Sequence, residues 1–99
     1  MTEEELAKYL AELGNVTRLK IYMFLIKVGE EGVPVGTIQD HLKIPGSTLS
    51  HHLTKLASVN LISQHREGRI LNCIANFEIL QSVLDELRTS CCAGMPEVK

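Results

Sequence analysis

No run of apolar residues in this chain approaches the about 20 that a membrane-spanning helix needs, which excludes a helical membrane protein. Cysteine is scarce and odd in number, three in all with two adjacent at Cys91-Cys92, so a secreted disulfide framework is not expected. The acidic start, Glu3-Glu4-Glu5, lacks the basic region of a signal peptide, and the expected location is the cytoplasm. Positive charge is not in excess, since the formal net charge is −2. There is no nucleophile motif, no phosphate-binding glycine loop and no acid–base pair of suitable spacing, so an enzyme is not expected. A thiol oxidoreductase would want Cys-x-x-Cys at a helix N-terminus, whereas Cys91-Cys92 has no spacer and follows a helix.

What is present fits one small soluble domain. Ninety-nine residues with 44% hydrophobic and 22% charged content are ordinary for a globular chain with a modest core. Residues 2–13, TEEELAKYLAEL, read as a helix with a Thr2/Glu5 capping box and an apolar stripe of Leu6, Tyr9, Leu10 and Leu13. Residues 15–28, NVTRLKIYMFLIKV, read as a second helix capped by Asn15 or Thr17, with Leu19, Tyr22, Met23, Leu25 and Ile26 mostly inward. Arg18 and Lys20 stand near its start, where the helix dipole disfavours cations, so a partner is expected there, either phosphate or an acid of the first helix. GEEGVP, residues 29–34, reads as a loop.

The organising stretch is Val35 to Arg69. Val35 to Leu42 form a short helix with Ile38 and Leu42 inward, and Pro45-Gly46 break the chain. A second helix follows, with Ser47 as expected cap, Leu49, Leu53 and Leu56 on one face, and Asn60 at its left-handed end. Ser47, Thr48, Ser50, His51, Thr54 and Lys55 fall largely off that stripe and include no acid. Leu61 to His65 and Arg69 to Ile74 form a β-hairpin turning at Glu67-Gly68. Asn76 caps a last helix to Ser90, whose apolar residues Phe77, Leu80, Val83, Leu84 and Leu87 repeat at three and four. The fold expected is therefore mainly α with a small β-hairpin: five helices, with the hairpin between the fourth and fifth, in a winged helix-turn-helix. Excess amphipathic helix at both chain ends predicts a homodimer through the first and last helices. The tail to Lys99 is expected to be mobile.

Charge is distributed to match. Residues 43–69 carry Lys43, Lys55, Arg66 and Arg69 against Glu67, a net +3, while residues 1–13 carry −3 and residues 70–99 carry −2. Local sign steers toward phosphate. Double-stranded DNA is the partner expected, with Ser47, Thr48, Ser50, His51 and Lys55 at the major groove and Arg66 and Arg69 on the backbone or minor groove. His52 is expected to pack, and His41 and His65 to be solvated. A protein-interaction winged helix would share the fold without needing the basic face.

LGNVTRLKIYMFL (13–25), STLSHHLTKLASVNLI (47–62) and REGRILNCI (66–74) together resemble segments of the ArsR/SmtB metal-responsive winged-helix repressors. Val16 stands where that family usually has Pro, and Asn60 where it usually has Gly. The resemblance implies a homodimer that leaves DNA when an inducer binds. The short helix VGTIQDHL has no cysteine for one of the family's metal sites, and the last helix has no histidine for another. Cys91-Cys92 resembles the subgroup whose C-terminal cysteine pair responds to trivalent arsenic or antimony. Soft thiophilic centres prefer thiolates. Cys73, a partner thiol, glutathione or hydroxide would then be the third ligand, and a monomethylated arsenical would need only two. Alternatives are a redox or reactive-sulfur switch at Cys91 and Cys92, and a structural role for Cys73 as a buried small hydrophobe.

Overall fold

A computed structural model describes residues 1–95; residues 96–99 of the expected mobile tail lie outside the described residues. The chain runs α1 (Glu3–Leu13), α2 (Val16–Val28), β1 (Val33–Pro34), α3 (Val35–Leu42), α4 (Gly46–Ser58), β2 (Ile62–Glu67), β3 (Ile70–Ala75) and α5 (Phe77–Ser90). Capping chemistry sets several of these boundaries. Thr2 and Glu5 close a reciprocal capping box on α1, Asn15 accepts from the Arg18 amide at the start of α2, and Asn76 accepts from the Ile79 amide at the start of α5. Asn60, beyond α4, holds φ 63°. That left-handed turn lets the Leu61 amide reach back to the Leu56 carbonyl at 3.0 Å and launches β2.

The hairpin is part of a three-stranded antiparallel sheet in the order β1-β3-β2, not the two-stranded unit expected. Val33 pairs with Cys73 and Pro34 with Asn72, so the end of the 29–34 loop is a strand. Gly32 permits this approach. Its φ is +72°, and a Cβ there would lie 2.9 Å from the Cys73 carbonyl oxygen and collide with Ile74.

The core lies between α2, the helix-turn-helix and the sheet. Ile21, Tyr22, Leu25, Ile38, Leu49, Leu53, Leu56, Leu61 and Cys73 are fully buried. Leu19 and Met23, expected inward, are 40% and 47% exposed. The buried face of α2 is instead Arg18, Ile21, Tyr22 and Leu25, a stripe at three- and four-residue spacing. Ser47 does not cap α4: Pro45 occupies the N-cap position, with no side-chain hydrogen bond.

The two terminal helices are under-buried. No residue of α1 is buried, and Val83 is the one buried residue of α5. Leu10, Leu84 and Leu87 are between 41% and 49% exposed. The radius of gyration, 15.8 Å, exceeds the about 13 Å of a compact chain this long. Among the described residues, no helix is long and apolar enough to cross a membrane.

Candidate nucleic-acid interface

α4 is held by one face and leaves the other free. Leu49, His52, Leu53 and Leu56 are buried, and the same helical repeat turns Ser47, Thr48, Ser50, His51, Thr54 and Lys55 outward, all exposed. The Thr54 hydroxyl donates back to the Ser50 carbonyl at 2.9 Å, whereas no hydrogen bond within the described chain engages the side chains of Ser47, Thr48, Ser50 or His51. With Pro45 as an uncapped start, the first-turn amides of α4 also lack a side-chain acceptor. They form a positive helix end suited to an oxyanion.

The β2–β3 hairpin turns at Gly68-Arg69, one residue later than expected, with Gly68 at φ 64°; Arg66 lies near the end of β2 and Arg69 in the turn, and both arginines are exposed. Neither arginine nor Lys55 is in a salt bridge among the described residues. The fold therefore presents a hydroxyl-, imidazole- and ammonium-bearing helix face and two guanidinium groups on a hairpin, without an opposing carboxylate on the helix.

Behind this face runs a polar connection between three helices. Arg18 of α2 is 7% exposed, as is His52 of α4. The Arg18 Nη1 donates to the Glu12 carboxylate at 2.9 Å and to the Glu12 carbonyl at 3.0 Å, and Arg18 Nε donates to His52 Nδ1 at 3.3 Å. The expected partner of Arg18 is thus an acid of the first helix, and sequence reading missed the second partner, His52. Accepting at Nδ1 makes the imidazole neutral with its proton on Nε2. Burial, then the Arg18 charge, then His51 push the His52 pKa below its ordinary value. His51 stands edge-on to His52, with ring centroids 5.6 Å apart. A packed histidine therefore supports a solvent-facing one.

The cysteines fall in two places. Cys73 is fully buried in β3 and accepts a 3.5 Å hydrogen bond from the Gln64 amide of β2. Burial raises its thiol pKa, and the Gln64 bond opposes this. Cys91 and Cys92 are exposed beyond α5, with their sulfur atoms 3.3 Å apart. Among the described residues, no group of three or more His, Cys, Asp or Glu side chains is placed to hold a metal ion. One chain thus gathers two thiols and does not bring Cys73 to them.

Comparison with known proteins follows the same outline. Residues 13–65 match the family described as "Helix-turn-helix domain". The chain is 33% identical over 73 residues to the transcriptional repressor SdpR of Bacillus subtilis (strain 168), covering 74% of this chain and 78% of SdpR. It superposes on an ArsR-like transcriptional regulator from Rhodococcus sp. RHA1 with a TM-score of 0.76 at 23% identity, covering 88% of this chain and 79% of that one. It also superposes on the homodimeric winged helix-turn-helix DNA-binding domain Mb0332 from Mycobacterium bovis with a TM-score of 0.71 at 22% identity, covering 92% and 83%.

Proposed function

The chain belongs to a helix-turn-helix family of transcriptional regulators, and from that premise we propose that it is a homodimeric ArsR-type repressor released from its operator by a thiophilic metalloid. The observation that carries the DNA reading is the acid-free outer face of α4 beside wing arginines that form no salt bridge among the described residues. Ser47, Thr48, Ser50, His51 and Lys55 contact base edges and phosphates in the major groove, and Arg66 and Arg69 hold the backbone or minor groove. The uncapped α4 amides add a phosphate contact. A net charge of −2 does not oppose this, because most of the acids lie in α1 and α5. Pairing through Leu10, Leu84 and Leu87 would cover the exposed stripes of α1 and α5 and double the positive face. Two recognition helices then address half-sites about 34 Å apart.

The inducer site is Cys91 and Cys92. Their sulfurs, 3.3 Å apart, suit one soft centre such as trivalent arsenic or antimony bridging both thiolates. With Cys73 sealed in the sheet, a third ligand comes from a partner thiol, glutathione or hydroxide, or is not needed when the arsenical is monomethylated. Redox switching is the rival at the same pair. Across a trans peptide the two Cα atoms are about 3.8 Å apart, below the about 4.4–6.8 Å of ordinary disulfides, and there are no cis peptide bonds among the described residues. An unstrained bridge within the pair is therefore disfavoured, which favours the metalloid.

The test replaces both thiols. A Cys91→Ser/Cys92→Ser variant should bind operator DNA as the parent does and no longer be released by arsenite. Continued release of that variant by arsenite would sink the assignment, and release of the parent by an oxidant alone would move it to redox.

A further inference from the structure

Helix α2 is apolar on both sides. Its inner stripe is the core, and its outer stripe holds Leu19 and Met23 at 40% and 47% exposure. A helix hydrophobic all round is normally covered all round. Here the outer stripe floors a groove of about 720 Å³ that runs between α2 and α3. Leu19, Met23, Phe24 and Leu42 give it an apolar lining, and the Phe24 ring lies 5.0 Å from the His41 ring across the two helices. Lys20, Lys27 and His41 also line it, and no carboxylate among the described residues does. Neither lysine is in a salt bridge among the described residues. The dimer stripe of α1 and α5 does not use these residues, and neither does the proposed DNA face.

We propose that this groove binds a small amphiphilic anion, a molecule with an extended apolar body and one carboxylate head, of the class of medium-chain fatty acids. The volume lies within the about 300–1,000 Å³ typical of small-molecule sites. Nine residues line the groove, well short of the about 20–30 that each side of a stable protein interface engages. The charge is complementary to an anion: Lys20 and Lys27 are seven residues apart and so stand on one side of α2 about 10 Å apart, where either can meet a carboxylate at a groove end. The site joins α2 to the first helix of the helix-turn-helix, so an occupant would bear on how α3 and α4 are held. That consequence rests on the DNA-binding reading; binding itself does not.

The test is a titration of the full-length reduced protein, labelled with nitrogen-15, with dodecanoate below its micelle concentration, followed by amide chemical shifts. Dodecylammonium, with the same body and the opposite head, is the comparison. Expected are saturable shifts confined to residues 16–28 and to His41 and Leu42, at least about tenfold weaker binding to a Lys20→Glu/Lys27→Glu variant, and retained binding to Lys20→Arg/Lys27→Arg. Sedimentation of both variants should match the parent. No saturable shift, equal binding of dodecylammonium, or shifts mapping to α1 and α5 would overturn the proposal. A drop of the Glu variant to a smaller assembly would assign the groove to a second copy of the chain and overturn it as well.

Discussion

Replacing Arg18 with Met keeps the aliphatic stem and removes the guanidinium that joins α1, α2 and α4. Three hydrogen bonds go: 2.9 Å to the Glu12 carboxylate, 3.0 Å to its carbonyl and 3.3 Å to His52 Nδ1. Breaking a fully buried ion pair costs about 3–5 kcal/mol. The Glu12 side chain retains 23% exposure, so water takes up part of its charge and the expected loss is about 2–3 kcal/mol. About 1 kcal/mol of this is the orphaned acceptor on His52. Changing His52 to Leu in the same background removes that acceptor and should recover about that amount. Urea unfolding followed by circular dichroism reads both, at fixed protein concentration because a dimer's midpoint depends on it. The histidine adds a pH signature. Its folded pKa lies below the ordinary 6.5, so the unfolded chain takes up the proton first. Stability from this group is complete above about pH 6.5 and falls as pH drops through the folded value; the His52→Leu protein should lack that part of the decline. A loss under about 1 kcal/mol for Arg18→Met, or strictly additive effects of the two substitutions, would refute the connection.

Gly32→Ala should destabilise by about 2–3 kcal/mol, read by urea unfolding, because it forces a side chain into φ +72° and against the β3 backbone. In native protein an aromatic disulfide reagent should titrate Cys91 and Cys92 promptly and reach Cys73 only after denaturant is added, since Cys73 is fully buried. Leu84→Lys should shift the protein from dimer to monomer in sedimentation and weaken DNA binding in parallel, with the circular dichroism of the folded protomer retained, because Leu84 is 49% exposed in the single chain.

The helices were legible in the sequence because their ends are written locally. Thr2 with Glu5, Asn15 and Asn76 each make the cap hydrogen bond their spacing implies. The exposed face of α4 was legible for a related reason: Leu49, Leu53 and Leu56 fix which side is buried, and the polar residues follow by periodicity. Where the signal is tertiary, it failed. Val33-Pro34 is too short for any alternation, and its strand exists through pairing with Cys73 and Asn72. Helix α2 has apolar residues on both faces, so periodicity could not say which one meets the core, and Leu19 and Met23 were placed on the wrong side. Ser47 resembles a cap, but Pro45 fills that position two residues earlier. The burial of Arg18 needs His52, 34 residues away. Whether Cys73 could join Cys91 and Cys92 depended on sheet register, which sets it opposite Val33 and Gln64.

The most direct measurement is fluorescence anisotropy of the reduced protein on DNA from its own upstream region across a series of salt concentrations. Lys55, Arg66 and Arg69 in each of two protomers would neutralise about six phosphates, so the logarithm of affinity should fall linearly with the logarithm of salt at a slope of about −5. Arg66→Ala/Arg69→Ala should make that slope shallower by about 3 to 4 and weaken binding across sequences alike. Affinity that is independent of salt, or a slope unchanged by that double substitution, would contradict a DNA-binding role for α4 and the wing.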